Sequence, residues 1–238
     1  MHHARIVAVM AFSVLVAAAP GRAGTRVADC GKGLLLFSVD ADASTAPRPY
    51  LKLIEADGWT VETRKVEPSY RREAEYAVAL RDRIDAARRA GCRRIALAGE
   101  SFGAWVSLMA NASFETPVDS ESVQAVIAVD ASAARTGPLR DVAHDHKFVN
   151  LLKTQDATHL AVFLYDAPPD EAEERKIEIS RSLSNRIRDA RVLTETASLD
   201  GPDGPHGEAF GRRYGPLLIE LLDGDEPAGP QTPAPGFR

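Results

Sequence analysis

Short apolar runs alternate along the chain with amphipathic stretches of longer period. Residues 33–40, GLLLFSVD, form a continuous apolar run entered through glycines and left through polar residues, the pattern of a strand buried on both faces. Leu51 to Ala56 reads as helix ended by Asp57-Gly58, and Trp59 to Thr63 alternates like a strand. From Ser69 to Ala90 the apolar positions Ala74, Ala77, Val78, Ile84 and Ala87 fall mostly at helical spacing among Arg and Glu, with Gly91 as the stop. Arg94 to Gly99 predicts the next strand and Ala104 to Ala110 the next helix. Val123 to Val129 is a further apolar strand, followed by an irregular polar segment to about Thr158. Leu160 to Tyr165 predicts a strand, Glu171 to Ala190 a helix with a charged face, Arg191 to Thr196 a strand, and Ala209 to Leu222 a closing helix. Strands alternating with helices at this spacing predict an α/β protein, a mostly parallel sheet flanked by helices on both faces.

The two ends differ from this rhythm. Residues 1–23 carry Arg5, then an apolar stretch from Ile6 to Ala19 broken only by Ser13, then the small residues of Gly21-Arg22-Ala23. That is the pattern of a secretory signal peptide, too short for a comfortable membrane span. Asp29 is not the small residue that a lipid-attachment site needs before Cys30, so no stable membrane anchor is expected after cleavage. The globular domain is expected over 24–226, and the Pro-rich residues 227–238, which lack core formers, are expected to be disordered.

The charge balance narrows the partners. The chain carries a formal net charge of −5, and loss of the signal with its two arginines makes it more acidic, which argues against a nucleic-acid partner. Export to the periplasm or the exterior would place the two cysteines, Cys30 and Cys92, in an oxidising compartment.

The stretch IALAGESFGAW, residues 95–105, raises the question of chemistry. It is a strand, then Gly99-Glu-Ser-Phe-Gly103, then a helix, so a serine stands alone at a sharp bend between two glycines. The bend pushes the Ser101 hydroxyl out at the carboxyl edge of the sheet, where the N–H of Phe102, at a helix start, can face an oxygen that becomes negative in acyl transfer. This strand, elbow and helix resemble the nucleophile elbow of the α/β-hydrolase family, and the similarity extends from Gly33 to Leu222. The resemblance implies that fold with a minimal lid, since only Ala131 to Thr158 leaves room for one, and a serine hydrolase activity.

A serine hydroxyl needs a general base. His2 and His3 leave with the signal, and His144, His146 and His159 lie between the fourth and fifth predicted strands. His206, in the loop Gly204-Pro-His-Gly207 after the last predicted strand, is where the family places its base. The family's acid follows the strand before the last. There Asp170 fits best, in Ala167-Pro-Pro-Asp170, with Asp166 the alternative at the strand end and Glu171 a solvated acid; Asp130 is a lesser alternative. The order Ser101, Asp170, His206 is that of the family. A second oxyanion donor is expected from the N–H of Val39 or Ser38, although the family's usual His-Gly is replaced here by Phe37-Ser38-Val39-Asp40. In the family's sheet the strands holding Leu34–Phe37 and Ile95–Ala98 are parallel neighbours, which implies a structural disulfide between Cys30 and Cys92 at the opposite edge.

Asp141, His144, Asp145 and His146 form a small cluster, read as a polar loop and not as a metal site. No phosphate loop or dinucleotide fingerprint is present, and the expected chemistry needs no cofactor. The resulting expectation is a hydrolase that cleaves a small-molecule carboxylic ester, with a small or medium acyl group, through an acyl-enzyme; a peptide or amide is the next choice. The competing reading is a secreted hydrolase-like protein that binds without turnover.

Overall fold

The computed structural model describes residues 30–43, 48–112, 123–133, 147–165, 169–195 and 204–224. The expected signal segment, the Pro-rich tail, the cluster around His144 and His146, and Asp166 lie outside the described residues.

In chain order the elements are β1 (Gly33–Asp40), α1 (Pro49–Ala56), β2 (Trp59–Val66), α2 (Glu73–Arg89), β3 (Ile95–Glu100), α3 (Phe102–Asn111) and β4 (Val123–Val129). Then follow α4 (residues 147–153), β5 (Ala157–Leu164), α5 (Pro169–Ser182), β6 (Asp189–Thr194) and α6 (Glu208–Asp223). The strands form one sheet in the order β2-β1-β3-β4-β5-β6, and every neighbouring pair is parallel. This is the α/β architecture expected from the alternation of periods.

Because successive strand residues face opposite sides, each strand supplies two cores. Leu34, Leu36, Leu97, Val126, Leu160 and Val162 pack under α2, α3, α4 and α5. On the other face Leu35, Phe37, Ala98, Ile127, Ala161 and Phe163 pack under α1 and α6. On that second face Phe163, Phe210 and Tyr214 form an aromatic cluster with ring centroids about 5 Å apart. The strand order reverses direction between β1 and β3, and in an open parallel sheet the crevice at the carboxyl ends of such a pair is where ligands bind. Asp40 ends β1 and Ser101 follows β3, so both stand at that crevice.

Three local expectations are corrected. The segment after β4 is not irregular throughout, since 147–153 is helical; Phe148, Leu151 and Leu152 bury one short face, and Lys147 pairs with the buried Glu73 of α2. The helix expected to run to Ala190 stops at Ser182. There the Ser184 N–H donates to the Leu152 carbonyl and the Ser184 hydroxyl accepts from the Arg186 N–H, a local alternative to helix that serine supplies readily. His159 lies inside β5 rather than before it.

Cys30 and Cys92 form a disulfide with Cα atoms 5.8 Å apart and a sequence separation of 62. The register explains the proximity: Leu34 pairs with Ile95, so the residues just before each strand meet at the amino edge of the sheet. Replacing both cysteines by serine is expected to lower the unfolding free energy by about 2–4 kcal/mol, measured by urea denaturation, because the reduced chain regains loop entropy when unfolded. An unchanged midpoint contradicts this.

Candidate active site

The elbow follows from a close approach of backbones. Ser101 has φ 51° and ψ −124°, a left-handed conformation that costs a side-chain-bearing residue about 1–3 kcal/mol and persists only where its surroundings enforce it. They do so through hydrogen bonds. The Ser101 N–H donates to the Val129 carbonyl at the end of β4 (2.9 Å), and the Ser101 carbonyl accepts from Ala104, Trp105 and Ser132.

The flanking glycines are steric requirements. A Cβ on Gly99 would lie 2.4 Å from the Gly103 carbonyl carbon, and one on Gly103 would lie 2.1 Å from the Ser38 carbonyl oxygen and 2.7 Å from the Val39 nitrogen. Helix α3 thus starts in backbone contact with β1, and only glycine fits. Ser38 and Val39, expected as oxyanion donors, are buried residues within β1, and the exit of the strand is Asp40. Phe102 is the first residue of α3, where helix amides lack intrahelical partners.

Asp40 was not expected at the site. It ends β1 beside the elbow, and its Oδ1 is buried with no hydrogen-bond partner. Burial raises its pKa, the neighbouring Ser101 hydroxyl and Gly103 N–H oppose the rise, and the charges of Asp42 and Glu100 add to it.

His206 lies in the turn before α6, where the Gly207 N–H donates to the Gly204 carbonyl. Its Nε2 sits 3.0 Å from Glu100 Oε2 and 3.0 Å from Arg48 Nη2. Arg48 donates through Nε and Nη2 to Glu100 Oε2 (3.0 and 2.8 Å), and the Tyr50 hydroxyl donates to Oε1 (3.1 Å). Arg48 and Glu100 are each only 4% exposed. A guanidinium only donates and a carboxylate only accepts, so a neutral imidazole accepts from Arg48 at Nε2, whereas a protonated Nε2 donates to Glu100. Burial works against the Glu100 charge, but hydrogen bonds from His206 and Arg48, with their charges, hold its pKa below the ordinary value. Burial together with the Glu100 charge pushes the Tyr50 hydroxyl far up.

The structure therefore gathers Ser101, Phe102, Asp40, Glu100, Arg48 and His206 at one end of the sheet. No hydrogen bond joins Ser101 to His206 among the described residues. Asp170 is the second residue of α5 and its side chain is outside the described part; Asp130 follows β4 with φ 48°, its N–H donating to the Phe163 carbonyl. Among the described residues no group of three or more His, Cys, Asp or Glu is placed to hold a metal. Glu100 carried a readable signal, since an acid closing a fully buried strand requires a partner. Arg48 gave none, because its loop position says nothing of burial.

Replacing Glu100 by alanine removes the carboxylate that balances the buried Arg48 charge and is expected to cost about 3–5 kcal/mol in urea unfolding at neutral pH. Since the folded pKa of Glu100 is lowered, its contribution is complete above the ordinary carboxylate range and is lost as pH falls through it. The gap between wild type and variant should narrow in acid; a gap independent of pH contradicts the assignment.

Comparison with known proteins adds the fold. No family model matches the chain, and no curated protein matches it in sequence. Solved structures do. Est1E from Butyrivibrio proteoclasticus superposes with TM-score 0.53 at 12% identity, over 81% of this chain and 89% of that one. The esterase Pf2001 of Pyrococcus furiosus gives 0.54 at 11% identity, over 82% and 84%. The acylaminoacyl peptidase of Pyrococcus horikoshii gives 0.54 at 10% identity, covering 82% of this chain and 37% of that one. These matches, with the parallel sheet and the elbow at Ser101, show that the chain has the α/β-hydrolase fold.

Proposed function

We propose that the protein is a serine-dependent hydrolase that cleaves a carboxylic ester of small or medium acyl length through an acyl-enzyme at Ser101. The observation that carries this reading is the strained Ser101 backbone, enforced between Gly99 and Gly103 at the crevice between β1 and β3. Strain of that kind serves no packing purpose and presents a hydroxyl at a helix N-terminus. The names of the structural neighbours, esterases and a peptidase, support hydrolysis as the reaction class.

In this reading Ser101 Oγ attacks the carbonyl carbon and His206 takes its proton. His206 then delivers that proton to the leaving alcohol, and water repeats the sequence to release the acid. Asp170 orients the imidazole, with Asp166 the alternative, and the Phe102 N–H faces the developing oxyanion. The reading requires the imidazole to turn from Glu100 and Arg48 toward Ser101, a motion that its place in a partly exposed turn permits. The 24–226 domain acts outside the cytoplasm, in keeping with the disulfide; no described helix is long and apolar enough to cross a membrane.

The engagement of His206 Nε2 by Glu100 and Arg48 favours one other reading, a hydrolase-like protein that binds a small ester or partner without turnover. A fluorophosphonate probe separates the two. The wild type should label, and Ser101→Ala should abolish labelling and lower ester hydrolysis by about 10⁴-fold or more; absence of Ser101-dependent labelling removes the catalytic reading. Across 4-nitrophenyl esters of increasing length, kcat/KM should peak at short to medium chains, and a peak at long chains contradicts the proposed substrate class.

A further inference from the structure

His206 meets the charged part of the site through one nitrogen. Its Nε2 is 3.0 Å from Glu100 Oε2 and 3.0 Å from Arg48 Nη2, and those two atoms are themselves 2.8 Å apart, so the imidazole edge faces both ends of an ion pair. Nε2 is the nitrogen through which a serine hydrolase takes and returns the proton, whereas the acid of a triad addresses Nδ1. A carboxylate at Nε2 therefore has a different task from the one assigned to Asp170.

We infer that Glu100 is a positioning residue whose carboxylate stabilises the imidazolium that His206 becomes on taking the Ser101 proton, while Arg48, at the same nitrogen, limits that stabilisation so that the base returns to the neutral imidazole. This role rests on Ser101 and His206 being the nucleophile and the base of the proposed hydrolase.

Three features of the network carry it. The first is rigidity. Glu100 is 4% exposed and both of its oxygens are held: Oε1 accepts from the Tyr50 hydroxyl (3.1 Å), and Oε2 accepts from Arg48 Nε and Nη2 (3.0 and 2.8 Å). A charge fixed in that way needs no rearrangement when a positive charge develops beside it. The second is position. Glu100 closes β3 and Ser101 follows directly, with consecutive Cα atoms about 3.8 Å apart. An imidazole that turns from Oε2 to the Ser101 hydroxyl stays in the field of the same carboxylate, which burial keeps from being screened by salt. The third concerns stability. Apolar side chains of similar volume usually hold a buried position as well as an ion pair does. Packing alone gives no reason for a charge at the end of β3, where Ile95, Ala96, Leu97 and Ala98 are buried and apolar.

The other groups around Glu100 do not replace this pairing. Asp40 at the end of β1 is acidic, Asp130 follows β4, and the Tyr50 and Tyr165 hydroxyls are both pushed up by burial and stay neutral. Burial works against the Glu100 charge, but the hydrogen bonds and charges of His206 and Arg48 keep it ionised.

The step balances within the site. The Ser101 O–H bond breaks and its proton goes to Nε2, while the Oγ–C bond forms and the carbonyl π pair moves onto oxygen. Glu100 gains no proton and faces the new positive charge. On collapse the C–O bond to the leaving group breaks, the departing alkoxide takes the proton from Nε2, and the neutral nitrogen again accepts from Arg48.

The test is the pH dependence of kcat/KM for 4-nitrophenyl acetate, whose acidic limb reports protonation of the base, in wild type, Glu100→Gln, Arg48→Met and Arg48→Lys. Glu100→Gln removes the anion and keeps an acceptor for Arg48, so kcat should fall about 10–100-fold and the limb should move to lower pH by about one pH unit. Arg48→Met removes the cation and should move the limb to higher pH by about one pH unit, and Arg48→Lys, which keeps the charge, should return it toward wild type. A purely structural pair would give no such opposed displacements, and melting curves set the assay below each variant's transition. A measurement on the wild type needs neither variant: with histidine labelled by nitrogen-15, below the acidic limb, the His206 Nε2–H, assigned by its loss in His206→Gln, should exchange slowly with solvent. A limb that stays in place in Glu100→Gln or Arg48→Met, limbs that move the same way in both, Arg48→Lys displaced as far as Arg48→Met, or a freely exchanging Nε2–H in the wild type overturns this role and leaves a Ser101-dependent hydrolase standing. A wild type that shows no Ser101-dependent fluorophosphonate labelling overturns the hydrolase reading and this role with it.

Discussion

The site depends on a single close approach, the first turn of α3 against the Ser38–Val39 peptide of β1. No side chain fits between them, so residue 103 is glycine, and the return of the chain over β3 makes residue 99 glycine as well. With the backbone pinned at both sides and tied to the end of β4, Ser101 is left in a conformation it would not choose. Packing energy distributed over two cores holds that strain in place, and the serine hydroxyl and the helix amides end up facing one crevice.

Charge is distributed around that crevice in two separate settings. Glu100 is buried but well supplied with donors from Arg48, Tyr50 and His206, and its carboxylate stays ionised. Asp40 is partly buried and under-supplied, with one oxygen lacking any donor, and its ionisation is disfavoured. The surroundings of the two carboxyl groups thus shift them in opposite directions, Glu100 down and Asp40 up.

The fold was largely legible because periodicity reports burial directly. The β1 and β4 runs are apolar at most positions on both faces, as strands covered on both sides should be, and the amphipathic spacing of α2 marks a surface helix. The elbow was legible because its glycines are a steric necessity, and the Cys30–Cys92 bridge followed once the two strands were placed as neighbours. What escaped were features fixed by tertiary contact. Helix α4 is short and held by Lys147 on Glu73, the end of α5 is set by the Ser184 turn, and Arg48, just before α1, is brought to Glu100 by the packing of α1 against β2 and α6. Asp40 stood in plain view at a strand exit, where a polar residue is normal and carries no signal of its neighbour.

The central claim is that Ser101 carries the acyl group during turnover. Intact-protein mass spectrometry, with acid quenching milliseconds after mixing with excess 4-nitrophenyl acetate, tests it most directly. The account predicts a single acetyl adduct that peptide mapping assigns to Ser101. Turnover without an adduct, or an adduct on another residue, contradicts it.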